Sequence, residues 1–168
     1  ECANFASLHN LPILFACENN LYSVYTHINQ RQANKKFTKY ADVFNIKNKI
    51  LDGNDVLSVD NELKKIIKYI KIKKKPFFVQ MNTYRWREHC GPNFDNHIGY
   101  RSQKEFEIWK KKCPLDNIKN KILKKDIKLA KLIDKINFEI NNDLDKIFEH
   151  SKKANLPKLN SASKFVYV

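Results

Sequence analysis

The stretch Pro12-Ile13-Leu14-Phe15-Ala16-Cys17-Glu18-Asn19-Asn20 decides the fold. A short, unbroken apolar run stops abruptly at three polar residues. Following a helix, a run of that length reads as a central strand of a parallel sheet. Its polar end then falls at the carboxyl edge of the strand, where open α/β sheets bind their ligands.

The flanking sequence supports this reading. Upstream, Ala3, Phe5, Ala6 and Leu8 fall on one helical stripe within residues 1–10, and Asn10 is a plausible stop. Downstream, residues 21–45 read mostly as loop, with a helical candidate at 35–42. Lys49-Ile50-Leu51-Asp52-Gly53-Asn54-Asp55 reads as a short strand entering a turn. Residues 60–73 form an amphipathic helix. Asp60 or Asn61 can cap it, and Leu63, Ile66, Ile67 and Ile70 make its buried stripe. Its lysines lie on the wet side or past the end, where the helix dipole favours them. Phe77-Phe78-Val79-Gln80-Met81 is a second sheet strand, leaving through Asn82-Thr83-Tyr84-Arg85. The βαβ rhythm implies a parallel sheet.

Residues 85–102 break the rhythm. This loop holds Gly91 and Gly99, His89 and His97, and three of the four arginines. Loops this long inside compact domains are functional or disordered, and the aromatic, Arg and His content argues against disorder. Helix follows: 103–112 with Phe106 and Trp109 on one face, 114–124 opened by Pro114, and a long helix from Asp126 to about His150. The expected class is α/β, with a sheet domain over 1–102 and a helical extension over 103–168.

Composition narrows the function classes. The chain has 168 residues with a formal net charge of +14, from 32 Lys+Arg against 18 Asp+Glu. That balance invites a nucleic-acid reading, and a basic nucleic-acid-binding domain without catalytic activity is the competing hypothesis. However, 28 of the 32 cations are Lys and only 4 are Arg, and the chain is also rich in Asn (20) and Ile (17). These are residues of A/T-only codons, so much of the charge reads as base composition on a solvated surface. Binders that fork onto phosphates or bases favour Arg. With three glycines, at 53, 91 and 99, no glycine-rich phosphate loop can be written. Cys2, Cys17, Cys90 and Cys113 form no C-x-x-C pair, which fits a reducing compartment. No apolar run reaches membrane-span length. Residues 1–10 lack the pattern of a signal peptide.

Two polar constellations end the two best strands: Cys17-Glu18-Asn19-Asn20-Leu21-Tyr22, and Asn82-Thr83-Tyr84-Arg85-Trp86-Arg87-Glu88-His89. In a parallel sheet both open on one edge. Asn side chains and backbone carbonyls are hard oxygen donors suited to Mg²⁺, which completes its shell with ligand phosphates. Arg supplies a fork for phosphate oxygens, and His suits proton work. The plainer alternative is that Asn-Asn pairs simply form turns.

At these residues the chain resembles the alpha subunit of thiamine-diphosphate-dependent 2-oxoacid dehydrogenases, the E1 component of the pyruvate, branched-chain 2-oxoacid and acetoin type. The matching stretches are Asn4-Phe5-Ala6-Ser7-Leu8 through Leu11-Pro12-Ile13-Leu14-Phe15, then Cys17-Glu18-Asn19-Asn20-Leu21-Tyr22. Leu51-Asp52-Gly53-Asn54-Asp55-Val56, Thr83-Tyr84-Arg85-Trp86 with His89, and Gly99-Tyr100-Arg101 follow in order. The Val166-Tyr167 ending also fits. The resemblance implies a parallel-sheet thiamine-diphosphate-binding fold and the C-terminal part of the subunit, since only the Asn-Asn half of a Gly-Asp-Gly…Asn-Asn motif stands here. It implies Mg²⁺ ligation by the Asn20 side chain and the Tyr22 carbonyl. Arg85 would support the diphosphate side, and His89 would act over the thiazolium as the catalytic residue. Tyr100 and Arg101 would anchor the far end of the loop. Implied partners are an E1 beta subunit in an α2β2 assembly, a lipoyl-bearing E2 acyltransferase, and a 2-oxoacid or acetoin as substrate, with no nucleic acid and no membrane. The implied location is cytoplasmic in bacteria, or mitochondrial or plastid in eukaryotes. Because Cys90 follows His89 and Gly99 precedes Tyr100, phosphorylation at the family's loop serines is not supported. The roles of Cys90 and His97 stay open.

Overall fold

A computed structural model describes residues 1–162 and 164. The Val166-Tyr167 match lies outside the described residues. Two compact units are present, the first spanning Glu1–Lys119 and the second beginning at Asn120.

In chain order the first unit runs α1 (Cys2–Leu8), β1 (Leu14–Asn19), β2 (Tyr22–Ser23), β3 (Thr26–His27), α2 (Ile28–Arg31), α3 (Thr38–Val43), β4 (Lys47–Asp52), α4 (Val56–Lys73), β5 (Phe77–Asn82) and α5 (Gln103–Lys110). A helix α6 (Pro114–Lys125) and the long α7 (Leu129–Lys153) follow. The principal sheet is parallel, in the order β1-β5-β4. The predicted α/β architecture with a helical C-terminal part is therefore what the chain adopts.

The register explains the layers. Leu14, Phe77 and Lys47 stand side by side, as do Ala16, Val79 and Lys49, then Glu18, Met81 and Leu51. Because side chains alternate along a strand, Leu14, Phe77, Val79, Met81 and Leu51 share one face. There they pack with Leu63, Ile66, Tyr69 and Ile70 of α4, around a Val79 that is wholly buried. Gln80 belongs to the opposite face, where its Oε1 accepts the Phe37 backbone N–H at 2.8 Å just before α3. Helices thus flank the sheet on both sides.

Four expectations need correction. Residues 12–17 read as a central strand, but β1 lies at the edge of the described sheet and β5 is central. Ala16 and Glu18 of β1 are exposed. Helix α4 starts several residues earlier than predicted. Its cap is Asp55, whose Oδ1 accepts the Ser58 N–H at 3.3 Å, rather than Asp60 or Asn61. On α4 the buried pair is Ile66 and Ile70, while Ile67 is 43% exposed. Tyr69 joins the core in its place, because its ring meets Phe77 edge-on at 5.8 Å. Finally, residues 21–31 are not loop. They form the β2-β3 hairpin and the single turn α2, elements too short to leave a periodic signal.

The long C-terminal helix agrees with its periodicity. It begins at Leu129 rather than Asp126, after a turn in which the Asp126 Oδ1 accepts the Lys128 N–H at 2.9 Å.

Candidate functional site

Parallel pairing carries β1 and β5 to the same end in register, with Asn19 opposite Asn82. The two polar constellations therefore open on one edge, and the local chemistry there is built from amides. Asn19 is buried. Its Nδ2 donates to the Asn82 Oδ1 at 3.3 Å, and the same oxygen accepts from the Gln80 Nε2 at 2.8 Å. The Asn19 Oδ1 accepts the Leu21 N–H at 3.2 Å, and the Asn20 Oδ1 accepts the Tyr22 N–H at 3.0 Å. These are two successive Asx turns. Leu21 between them sits at φ 72°, a left-handed conformation that costs a non-glycine residue energy and clusters at functional sites. The chain is thereby bent back at the strand end into the β2-β3 hairpin.

At the neighbouring strand end, Gly53 lets β4 leave the sheet against β5. Its N–H donates to the Asn82 carbonyl at 2.8 Å, and a Cβ there would stand 2.9 Å from that oxygen.

A pocket of about 420 Å³ opens at this edge, and Asn20, Tyr22, Arg85 and His89 all line it. The four residues named from the sequence are thus brought together. Cys17, Glu18 and Asn19 line it as well, as do Ser23, Val24, Arg31 and Phe37. Those last four were not named from the sequence. Ser23 and Val24 follow directly from Tyr22, and Arg31 is the one arginine outside the loop, a signal that could have found it. His97 and Cys90 are exposed and do not line the pocket.

Arg85 is held on its own protein. Its Nη2 donates to the Val24 carbonyl at 2.7 Å and to the Tyr100 hydroxyl at 3.1 Å, and its Nε donates to the Arg87 carbonyl at 3.1 Å. Val24 is itself left-handed, at φ 53°. One arginine therefore joins the hairpin to both ends of the 85–102 loop.

Behind it lies a buried ion pair. The Arg101 Nη2 donates to the Asp95 Oδ1, with both side chains essentially inaccessible. Arg101 also donates to the Arg85 carbonyl and, at 3.0 Å, to the Trp86 carbonyl. The Tyr100 hydroxyl donates to the Asp95 Oδ2 at 2.7 Å. Burial works against ionisation of Asp95, but the Tyr100 hydroxyl and the Arg101 guanidinium hold its carboxyl below the ordinary carboxylate range. Burial, then the bond to Asp95, pushes the Tyr100 phenol up. Gly99, at φ 88°, supplies the left-handed turn before Tyr100.

An aromatic cluster of Tyr22, Tyr84 and Phe106, with Trp86, Tyr100 and Trp109 against it, underlies this loop. The Tyr22 hydroxyl donates to both Glu105 oxygens, at 3.0 and 2.9 Å. Burial first, and then this carboxylate, raise its pKa. The Tyr22 hydroxyl is thereby committed to Glu105. Burial, with Glu18 adding, raises the Cys17 thiol, which therefore stays protonated at neutral pH. Glu105 and Asp95 were also missed from sequence, since lone acids carry no spacing signal.

The donor set can be tested against a magnesium–diphosphate group. Among the described residues no cluster of three His, Cys, Asp or Glu side chains could hold a metal ion. Magnesium, however, takes amide and carbonyl oxygens and keeps few protein ligands. The Asn20 Oδ1 is fixed by the Tyr22 N–H and retains a second lone pair. The residues present fit that group.

Comparison with known proteins decides the family. The profile of the dehydrogenase E1 component family matches residues 1–160. The chain belongs to the dehydrogenase E1 component family. The pyruvate dehydrogenase E1 component subunit alpha of Zymomonas mobilis is 30% identical over 158 residues, covering 94% of this chain and 44% of that protein. The protein of the same name from Porphyra purpurea is 26% identical, covering 99% and 48%. The mitochondrial one from Sminthopsis macroura is 26% identical, covering 99% and 45%. The chain thus spans about half the length of the curated relatives it matches. No helix among the described residues is long and apolar enough to cross a membrane.

Proposed function

We propose that this chain serves as part of the alpha subunit of a thiamine-diphosphate-dependent 2-oxoacid dehydrogenase E1 component. One observation carries the reading: in a chain of this family, Asn20, Tyr22, Arg85 and His89 line a single pocket at the carboxyl edge of a parallel sheet. The Asn20 Oδ1 and the Tyr22 carbonyl would hold Mg²⁺ as hard donors. Thiamine diphosphate, when bound, supplies the carbanion chemistry that breaks the bond beside a 2-oxo group. Arg85 and Tyr100 hold the loop against the hairpin. The exposed imidazole of His89 then faces the pocket from the loop, where it can donate or accept a proton at the reacting group. The relatives' names make pyruvate the first substrate to try, with branched-chain 2-oxoacids and acetoin beside it. A beta-type subunit and a lipoyl-bearing acyltransferase are the proposed partners, in an α2β2 assembly, in bacterial cytoplasm or an organelle matrix. Beyond the net charge, no observation among the described residues favours the competing nucleic-acid reading.

The test uses the complete polypeptide that carries this chain, paired with its beta-type partner. His89→Ala should keep thiamine diphosphate affinity and lose acyl transfer to a lipoyl acceptor by about 10²-fold or more. Unchanged turnover would refute the role.

A further inference from the structure

Arginines stand at 31, 85, 87 and 101, and three of the four are committed to the loop. Arg85 spends its Nε and Nη2 on two carbonyls and the Tyr100 hydroxyl. Arg87 donates its Nη1 to the Pro92 carbonyl at 3.0 Å and lies 3.9 Å from the centre of the Phe94 ring. Arg101 is buried against Asp95. Arg31 differs. It lines the pocket that holds Asn20, Arg85 and His89, yet its guanidinium meets no carboxylate, carbonyl or ring among the described residues. Glu18, the carboxylate lining the same pocket, makes no ion pair with it.

The backbone beneath Arg31 is fixed even though its side chain has no polar partner among the described residues. It ends α2, whose first residue, Ile28, is 2% exposed. The His27 Nδ1 accepts the Asn29 N–H at 3.2 Å, and the Gln32 N–H returns to the Ile28 carbonyl at 2.9 Å. Six residues further on, the Phe37 N–H is tied to the buried Gln80. The root of the guanidinium is therefore anchored at both ends of its segment. In a chain with 28 Lys and 4 Arg, the other arginines all sit where planar, directional donors are needed.

We propose that Arg31 is an anion-binding residue of this pocket and holds an oxyanion of the bound ligand through its guanidinium fork. The oxyanion is the diphosphate of the cofactor or the carboxylate of a 2-oxoacid, since both match the fork. The proposal rests on the function proposed above. Because the Nε and Nη2 donors of Arg85 are bonded to the protein, Arg31 supplies the one whole guanidinium fork among the described residues of the pocket that a ligand can take without breaking a protein contact.

The experiment again uses the complete polypeptide with its beta-type partner, as wild type, Arg31→Gln and Arg31→Lys. Inorganic diphosphate is titrated with Mg²⁺ by calorimetry, and KM and kcat are measured over 2-oxoacids. Melting temperatures should agree among the three, because the replaced side chain is exposed and makes no polar contact among the described residues. If Arg31 holds the diphosphate, Arg31→Gln weakens inorganic diphosphate on the order of tenfold, with Arg31→Lys in between. If it holds the carboxylate, diphosphate affinity stays and KM for the 2-oxoacid rises on the order of tenfold at constant kcat. Either result supports the site. Wild-type diphosphate affinity together with wild-type KM in Arg31→Gln overturns it while leaving the proposed function intact. A wild type that binds no thiamine diphosphate overturns both.

Discussion

At the residue scale, the pocket depends on a few positions whose chemistry has no substitute. Gly53 is one: a methyl group 2.9 Å from the Asn82 carbonyl must push the ends of β4 and β5 apart. Gly53→Ala is expected to cost about 1–3 kcal/mol of stability, read from chemical denaturation. Asp95 is another. Its carboxyl is held below the ordinary value of 3.8, so its stabilising contribution is complete above that value and fades as pH falls through the lower folded pKa. Loop protection in hydrogen exchange should therefore be flat from neutral pH to about pH 5 and decline only in stronger acid. Asp95→Asn leaves a buried guanidinium without its counter-charge and should lower the free energy of loop opening by about 3–5 kcal/mol at neutral pH. Unchanged exchange at residues 86–101 in that variant would show that the ion pair does not hold the loop. Asn20, Tyr22, Arg85 and His89 stand in the two polar runs that follow strands, and the family resemblance singled them out within those runs. Asp95 and Glu105 escaped because their importance comes from what folds over them. A lone acid on a line of text is indistinguishable from a solvated one.

At the element scale, the strongly periodic pieces were legible and the brief ones were not. β5 lies where its short apolar run put it, and the long helix α7 where 3.6-residue spacing did. The β2-β3 hairpin is built instead on left-handed residues, Leu21 and Val24, which no period announces. Helix α4 shows a finer limit. Its pattern allowed Ile66 and Ile67 equally, and the actual rotation buries Ile66 at 4% and leaves Ile67 at 43% exposure. Ile66→Ala should cost about 2–5 kcal/mol, whereas Ile67→Ala should stay within about 0.5 kcal/mol. Comparable losses from both would mean that α4 is rotated from the position described. Asp55→Ala removes the cap and should cost about 1 kcal/mol, measured in the same series.

At the scale of the whole molecule, charge was the most conspicuous feature of the sequence and the least informative about function. The lysines decorate α4 and the C-terminal helices, where several pair locally, as Lys64 does with Asp60 at 2.6 Å and Lys65 with Glu62 at 2.7 Å. Glu62 also pairs with Lys49, and these two hydrogen bonds lower its pKa to about 2. Such exposed pairs are screened by solvent and contribute little. What the molecule offers instead is one sheet edge at which two distant segments of chain, around residues 20 and 85, complete a single pocket. Under the proposed function, this pocket holds thiamine diphosphate through a magnesium ion bound by Asn20. The most direct measurement is calorimetric titration of thiamine diphosphate into the complete polypeptide with its beta-type partner, with and without Mg²⁺, for wild type and Asn20→Ala. Binding should depend on Mg²⁺ and weaken at least about tenfold on loss of the Asn20 oxygen. Equal affinity in the two proteins, or binding indifferent to Mg²⁺, would contradict it.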